Sequence, residues 1–258
     1  MKKFIKKIWI KELSGALTYY TIIPNIICVK PTFKRIARFA PFIGLLIGSI
    51  LACLFTLLIN NQFDKSTSCI FVLITGHIIT GGIHLDGLVD TFDGIGAGEE
   101  RLLEAMNDSR IGSFGAQILV GTVLLQFGAL MNFDSNLQLS LISSLFWGRI
   151  SPLWTITKFP YLRNNGQGYF HKKNSLGFFK EVYPSLLVLI IISFLVFLFS
   201  LSIDLTLKRL YIIWIGVVPA LFVSEILNKK LKGFTGDSLG ACVVLTETMN
   251  LIILSLNS

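Results

Sequence analysis

Long apolar runs dominate the chain and constrain its fold more than any other feature. A helix needs about 20 predominantly apolar residues to cross the hydrocarbon core of a bilayer. Charged residues make up only 15% of the chain, whereas a soluble domain carries about 25%. The sequence therefore predicts an all-α, polytopic integral membrane helix bundle with about seven transmembrane helices, near residues 36–59, 67–84, 113–133, 137–158, 183–203, 210–227 and 239–256.

Two of these runs are irregular. The second is short and rich in glycine, with Gly76, Gly81 and Gly82 near its end, which predicts a broken or tilted helix. The fourth contains Arg149 and Pro152 and is the least secure of the predicted spans.

The N-terminal segment, residues 2–20, has a different pattern because lysines alternate with apolar residues at a spacing of three to four positions. This pattern predicts an amphipathic interfacial helix that lies on an anionic lipid membrane. Neither a repeat nor a hydrophilic linker divides the remainder, so residues 1–258 are predicted to form a single membrane-embedded domain.

Positive charge is unevenly distributed between the predicted spans. The net charge is +8, and nineteen of the 23 Lys and Arg residues fall on one side if the N-terminus is cytoplasmic. Because such residues concentrate in cytoplasmic loops, the N-terminus and the large polar loops are predicted to be cytoplasmic. Basic residues form no continuous face with interleaved aromatics, so no nucleic-acid partner is expected. The cysteines lack CxxC spacing and are expected to be small buried side chains: Cys28, Cys53, Cys69 and Cys242.

Acidic residues are few, yet seven of the 15 lie between Asp86 and Asp108. On a helix, Asp86, Asp90 and Asp93 occupy positions i, i+4 and i+7 and share one face. Carboxylates this close repel one another unless a cation neutralises them. Hard oxygen ligands without nearby cysteines favour Mg²⁺ or Mn²⁺. The alternative is a solvated loop that caps neighbouring helices.

Three further residues belong to the same segment. Gly87 and Gly94 are poor helix formers, but they would let backbone, a metal and a bulky phosphate approach closely. His84 either orients an aspartate or contacts a phosphate, or it is a structural histidine.

The residues 107–115, with the sequence NDSRIGSFG, precede the third predicted span. Asp108, Ser109 and Ser113 are natural helix N-caps, and the start of a helix favours anions. Arg110 offers a guanidinium fork for phosphate oxygens. The alternative is an ordinary capped helix start with a positive-inside arginine.

Charged residues also occur in or beside the later spans. Arg149 and Glu247 lie within apolar spans, where ionisable side chains pair with one another or face a polar cavity. Arg163 follows the fourth span, and Asp237 precedes the seventh, where it could instead only cap a helix. Acids and arginines on one membrane face suit a phosphoanhydride substrate, because divalent metals bridge its oxygens and arginines bind the remaining charge.

The residues 81–94, GGIHLDGLVDTFDG, resemble the GGLHxDGLADTxDG signature of the cobalamin synthase family, adenosylcobinamide-GDP ribazoletransferase, also called cobalamin 5′-phosphate synthase. Residues 108–115 are similar to the DSRxGxxG block of that family. Residues 17–24 resemble its N-terminal FLTRxP-type stretch but lack an arginine common there, and residues 235–247 resemble its C-terminal block. The likeness runs from about residue 12 to residue 250.

This resemblance implies a reaction in the prokaryotic cytoplasmic (inner) membrane. α-Ribazole or its 5′-phosphate attacks the phosphate that carries cobinamide in adenosylcobinamide-GDP, GMP leaves, and adenosylcobalamin or its 5′-phosphate forms with the help of Mg²⁺. The expected metal ligands are Asp86, Asp90 and Asp93. Asp93 and Asp108 are the expected catalytic residues, Asp108 as a further ligand or as proton acceptor. The expected substrate-binding residues are His84, Ser109, Arg110, Arg149, Arg163, Asp237 and Glu247. The oligomeric state stays open, with a homo-oligomer among the options.

Two other functions use clustered acids in a membrane. A CDP-alcohol phosphatidyltransferase has DxxDG-type aspartates, but its pattern continues into an alanine–arginine pair, where this chain has IGAG at residues 95–98. An ion or metal transporter would line its path with Asp86, Arg149 and Glu247, but the chain shows no inverted repeat and no acids spread over several span centres.

Overall fold

The computed structural model describes residues 2–25, 27 and 29–257, with the side chains of the first helix from residue 8 onward. Within these residues the regular structure is helical, and the only β-type pairing is an isolated bridge between Tyr161 and Phe234. The predicted all-α fold is therefore confirmed. The α-helices are α1 (Lys2–Tyr20), α2 (Ala40–Asn60), α3 (Lys65–Ile79), α4 (Ile83–Ala97), α5 (Leu102–Ala105), α6 (Ser113–Met131), α7 (Leu137–Lys158), α8 (Gln167–Asn174), α9 (Phe178–Phe199), α10 (Ile203–Trp214), α11 (Val217–Leu231) and α12 (Gly236–Ser255).

The expected multi-pass membrane bundle is confirmed, but the expected count of seven spans is not. Among the described residues, five segments are long and apolar enough to cross a membrane: Ile36–Asn60, Ser113–Met131, Phe178–Phe199, Ile203–Leu231 and Gly236–Ser255. The count rises to six if α3 and α4, which pass the same test only together, form one broken span. The predicted span 137–158 coincides with α7, which is 22 residues long but carries serines, threonines and Arg149.

The break between α3 and α4 comes from two successive glycines. Gly81 and Gly82 have φ angles of 63° and 74°, in the left-handed region that residues with a Cβ atom rarely adopt. The axes of the two helices consequently differ by 86°. The prediction of a broken helix end at these glycines is confirmed, and the break places the aspartates on a separate helix, α4.

Helix α7 is buried along most of its length between α2 and α12. The approach of α2 depends on two glycines: a Cβ atom on Gly44 would lie 2.3 Å from the carbonyl oxygen of Leu145, and one on Gly48 would lie 2.7 Å from Cα of Ile142. Glycines four residues apart allow such close helix contacts in membranes. Arg149 is thereby held in the centre of the bundle.

Helix α1 is confirmed as a helix, but it does more than lie on a surface. Glu12 is buried and forms an ion pair with the buried Arg38, and the hydroxyl of Ser14 donates to the carbonyl oxygen of Val29 at 2.9 Å. One face of α1 therefore packs against protein. Contact of the N-terminal lysines with anionic lipid stays a prediction, because the side chains of residues 2–7 lie outside the described ones.

The cysteine prediction is partly right. Cys69 and Cys242 are buried, as expected, whereas Cys53 is exposed on α2. Cys28 lies outside the described residues.

Candidate active site

A cavity of about 360 Å³ lies between α1, α4, α7, α8 and α12, and we call it the chamber. Four residues predicted from the sequence line it: His84, Asp86, Arg149 and Asp237. Much of the remaining wall is apolar and includes Ile83, Leu153, Ile156, Leu239 and Val243. The fold thus brings together charged residues from three segments that are far apart in sequence.

Close contact between α4 and α12 forms the acidic end of the chamber. A Cβ atom on Gly87 would lie 2.5 Å from the carbonyl oxygen of Asp237, and one on Gly240 would lie 3.2 Å from Cα of His84. The expectation that Gly87 lets backbone approach closely is therefore confirmed, because it makes room for the backbone of α12; the approach of a metal or a phosphate there stays a prediction. The contact sets the aspartates of α4 beside Asp237.

Four carboxylates and one arginine dominate the electrostatics of this end. The negative charges of Asp86, Asp237 and Asp93 repel the carboxylate of Asp90, and the positive charge of Arg163 attracts it. A guanidinium nitrogen of Arg163 lies 3.0 Å from an oxygen of Asp237. Within the described part of the chain, neither Asp86 nor Asp90 has an ion-pair partner within 4 Å. The cluster is therefore net negative and favours a cation.

The carboxylate oxygens of this cluster suit Mg²⁺, but they do not form a complete set of metal ligands. Among the described residues, no group of three or more His, Cys, Asp or Glu side chains converges closely enough to hold a metal ion. Mg²⁺ commonly takes only one or two carboxylates and keeps water and substrate phosphates as its other ligands. Asp86 and Asp90 fit that pattern, whereas the trio with Asp93 as a preformed ligand set stays a prediction.

Asp93 caps the start of α6. Its two carboxylate oxygens accept hydrogen bonds from the backbone N–H groups of Gly112 at 2.7 Å and Gly115 at 2.8 Å. A Cβ atom at either glycine would lie within 2.4 Å of an Asp93 oxygen, at 2.2 Å and 2.4 Å respectively, so the capping contact explains both glycines. The N-cap residue itself is Gly112, without a side-chain cap of its own. The expectation that Asp108, Ser109 or Ser113 caps this helix is wrong.

Asp108 and Arg110 form an exposed pair outside the chamber lining. Arg110 donates to Asp108 from its backbone N–H at 3.0 Å and from its guanidinium at 2.6 Å. These hydrogen bonds lower the pKa of Asp108 to about 2, which makes its carboxylate a weak proton acceptor near neutral pH. Ser109 is exposed in the same loop. The substrate-binding and catalytic roles of these three residues stay predictions.

Arg149 and Glu247 form an ion pair in the bundle interior. Arg149 also donates to the carbonyl oxygen of Leu145 at 3.0 Å, and a Cβ atom on Gly148 would lie 2.6 Å from Cγ of Glu247. The expected pairing of Glu247 with a buried cation is confirmed. Arg149 lines the chamber with its charge already neutralised, so its binding of a phosphate stays a prediction.

His84 joins the chamber to a smaller cavity. It lines both the chamber and a space of about 40 Å³ that also contacts His77 and Glu247. Its Nε2 atom is buried without a hydrogen-bond partner among the described residues. His84 therefore offers a ring nitrogen without a hydrogen-bond partner among the described residues, and its contact with a substrate stays a prediction.

Four polar chamber residues were missed from the sequence: Tyr19, Tyr20, Gln167 and His171. The hydroxyl of Tyr19 donates to Oε1 of Gln167, and the Tyr19 ring meets the His171 ring edge-on with centroids 5.9 Å apart. Burial lowers the pKa of His171 to about 4 and raises the pKa of Tyr19 to about 12. This wall is therefore uncharged at neutral pH. The one signal for it was the family-like stretch 17–24, which contains both tyrosines.

Fold and site together define a polytopic membrane protein whose helices enclose a chamber that ends in a cluster of aspartates. Residues 12–255 match the family described as Cobalamin-5-phosphate synthase. The chain belongs to this family, and the resemblance seen in the motifs is confirmed.

Curated relatives cover nearly the whole chain. One protein of Prochlorococcus marinus is 42% identical over 249 residues, which is 96% of each chain. Another protein of the same species, from strain MIT 9303, is 41% identical over 251 residues, again 96% of each chain. A protein of Synechococcus sp. (strain ATCC 27144 / PCC 6301 / SAUG 1402/1) is 33% identical over 247 residues, 95% of this chain and 96% of the relative. All three carry the name adenosylcobinamide-GDP ribazoletransferase. No solved structure matches the chain.

Proposed function

We propose that this protein is an adenosylcobinamide-GDP ribazoletransferase that acts at the acidic end of the chamber. The observation that carries the proposal is the close approach of α4 and α12 at Gly87, which sets Asp86 and Asp90 beside the Arg163–Asp237 pair. The family and the names of its relatives support the choice of substrates.

The reaction is a displacement at phosphorus. A ribose hydroxyl of α-ribazole, or of its 5′-phosphate, attacks the phosphorus that carries cobinamide. A new P–O bond forms, the anhydride P–O bond breaks, and GMP leaves with the bridging oxygen. The hydroxyl proton passes to a carboxylate of the cluster. Arg163 is placed to bind phosphate oxygens, because its guanidinium already lies at this end.

Mg²⁺ is part of the proposal. Asp86 and Asp90 would hold the ion, since neither has an ion-pair partner within 4 Å among the described residues. When bound, it would neutralise the charge that develops on the phosphate oxygens. Asp93 would position α6 beside the cluster through its capping hydrogen bonds.

We place the site at the cytoplasmic face of a prokaryotic cytoplasmic membrane. The concentration of Lys and Arg on one side of the spans supports this orientation. The lysines of residues 2–11 would add attraction to anionic lipid headgroups.

The test is GMP release from purified protein in proteoliposomes supplied with adenosylcobinamide-GDP, α-ribazole and Mg²⁺. We expect release that requires both substrates, stops with EDTA and returns with added Mg²⁺. Release of CMP from CDP-diacylglycerol instead, or no nucleotide product at all, would overturn the proposal.

A matched pair of variants makes the test specific. Asp90→Asn removes one charge from the cluster, whereas Lys173→Ala changes a residue of α8 that does not line the chamber. We expect D90N to lose GMP release and K173A to keep it.

A further inference from the structure

The chamber wall has two unlike parts. Its acidic end carries Asp86 and Asp237, while another part consists of aromatic and uncharged polar side chains from α1 and α8, together with apolar residues of α7 and α12. Family membership does not say which of the two substrates binds in the chamber. The side chains that line it do.

Size excludes the corrinoid. Pockets of about 300–1,000 Å³ enclose ligands of drug size, and the chamber has about 360 Å³. A nucleoside with a bicyclic base fits such a space, whereas a corrin macrocycle with its side chains is several times larger. The occupant is therefore a nucleoside, either the acceptor or the guanosine of the donor.

Charge and polarity favour the acceptor. Among the described residues, Arg149 is the one Lys or Arg that lines the chamber, and its charge is paired with Glu247. A diphosphate would therefore meet no free cation there. Guanine presents amide and amine groups that need several partners, and leaving them unpaired against Leu153, Ile156 and similar side chains is unfavourable. The benzimidazole base of ribazole has no exocyclic polar groups.

One buried polar atom in this wall lacks a partner. Nδ1 of His171 has no hydrogen-bond partner among the described residues, and the side chain is buried, with 8% of the residue exposed. A buried polar atom of this kind calls for a ligand or a water. The ring meets the Tyr19 ring edge-on, and His171 lines both the chamber and a much smaller neighbouring space.

We infer that the chamber is the acceptor subsite: it encloses the benzimidazole and ribose of α-ribazole between Tyr19, Tyr20 and His171, and Nδ1 of His171 hydrogen-bonds the bound nucleoside. This inference rests on the proposed function. The acceptor hydroxyl then lies towards Asp86 and Asp237, and the donor approaches that end from outside the chamber.

The test compares His171→Phe with Lys173→Ala, which lies two residues along α8 outside the chamber lining. Loss of one hydrogen bond to a buried group predicts a KM for α-ribazole about tenfold higher in H171F, with the KM for adenosylcobinamide-GDP unchanged. K173A should change neither value. A higher KM for the donor alone would assign the chamber to guanosine, and unchanged values for both substrates would refute the inference.

A second variant and a binding measurement keep the inference testable if H171F does not fold. Gln167→Ala removes an exposed chamber residue that accepts from Tyr19, so it should fold and should also raise the KM for α-ribazole. Equilibrium dialysis of α-ribazole against the protein in nanodiscs, without donor, tests binding without turnover. Binding without GMP release would overturn the proposed function but keep the subsite, whereas GMP release with displacement of α-ribazole by guanosine would overturn only the subsite.

Discussion

The aspartates of α4 lie in very different surroundings. Asp86 and Asp90, in its first half, lie beside the chamber without ion-pair partners in the described part of the chain. Asp93 lies one turn further, and both of its carboxylate oxygens accept hydrogen bonds from backbone N–H groups at the start of α6. Regular spacing along one helix face therefore does not make the three carboxylates equivalent, because their neighbours differ. The predictions for Asp86, Gly87 and Asp93 test that division, and those for His171 and Asp108 concern the groups around it.

The largest effect is expected for Asp86→Asn. This change removes a charge at the chamber while keeping the size of a side chain that is not buried, so GMP release should fall by about 100-fold or more with Tm unchanged. Initial rates and thermal unfolding in the same proteoliposomes check both statements. Turnover within a few-fold of the wild type would remove Asp86 from the site.

Gly87→Ala tests the helix contact behind the cluster. The added methyl would lie 2.5 Å from the carbonyl oxygen of Asp237 and should push α12 away, at a cost of about 1–3 kcal/mol and with GMP release lowered about tenfold. The matched control is Gly128→Ala on α6, where nothing lies within 4 Å of the new atom. Equal behaviour of the two variants would show that the contact is not needed.

Asp93→Ala should act on stability first. Loss of the α6 cap is expected to lower the free energy of unfolding by about 1–2 kcal/mol, seen as a lower Tm. The Mg²⁺ concentration for half-maximal rate should stay the same in the folded fraction. An unchanged Tm with a raised Mg²⁺ requirement would instead make Asp93 a metal ligand.

Acid is expected to lower the stability of the folded protein, because His171 is buried in its neutral form. Burial lowers its pKa from 6.5 to about 4, so the unfolded chain binds the proton more readily. The stabilising contribution of the neutral ring is complete above pH 6.5 and is lost as the pH falls towards 4, with a slope approaching about 1.4 kcal/mol per pH unit. Thermal unfolding between about pH 7 and pH 4.5 should therefore decline less in His171→Phe than in the wild type. Parallel declines would contradict the assignment.

The smallest effect is expected for Asp108→Asn. Because Arg110 holds the pKa of Asp108 at about 2, the carboxylate is not the proton acceptor, and the rate should change by less than about threefold, far below the loss of a general base. The pH profile of kcat should keep its shape. Disappearance of its acidic limb would restore Asp108 as the base.

Local sequence rules predicted the local features well. Paired glycines at 81 and 82 predicted the helix break, aspartates at helical spacing lie on α4 as one helix, and two charges in apolar spans, Arg149 and Glu247, pair with each other. Each of these inferences needs only helix geometry and the cost of burying an unpaired charge.

Features that depend on distant segments were not predictable. Asp93 is separated from its capping partner Gly112 by 19 positions, and a nearer residue, Asp108, looked like the better cap. The chamber wall joins α1 to α8, a juxtaposition that the apolar pattern does not encode. The apolar pattern also predicted that α1 lies on the membrane surface, because it does not encode the ion pair between Glu12 and Arg38.

The ion pair between Glu12 and Arg38 bears on any truncation that removes α1. The first helix looks like a dispensable anchor, but it ends in Tyr19 and Tyr20 and is clamped by this internal ion pair. Deleting it would leave a bundle that still inserts in lipid yet has one side of its nucleoside compartment open to water.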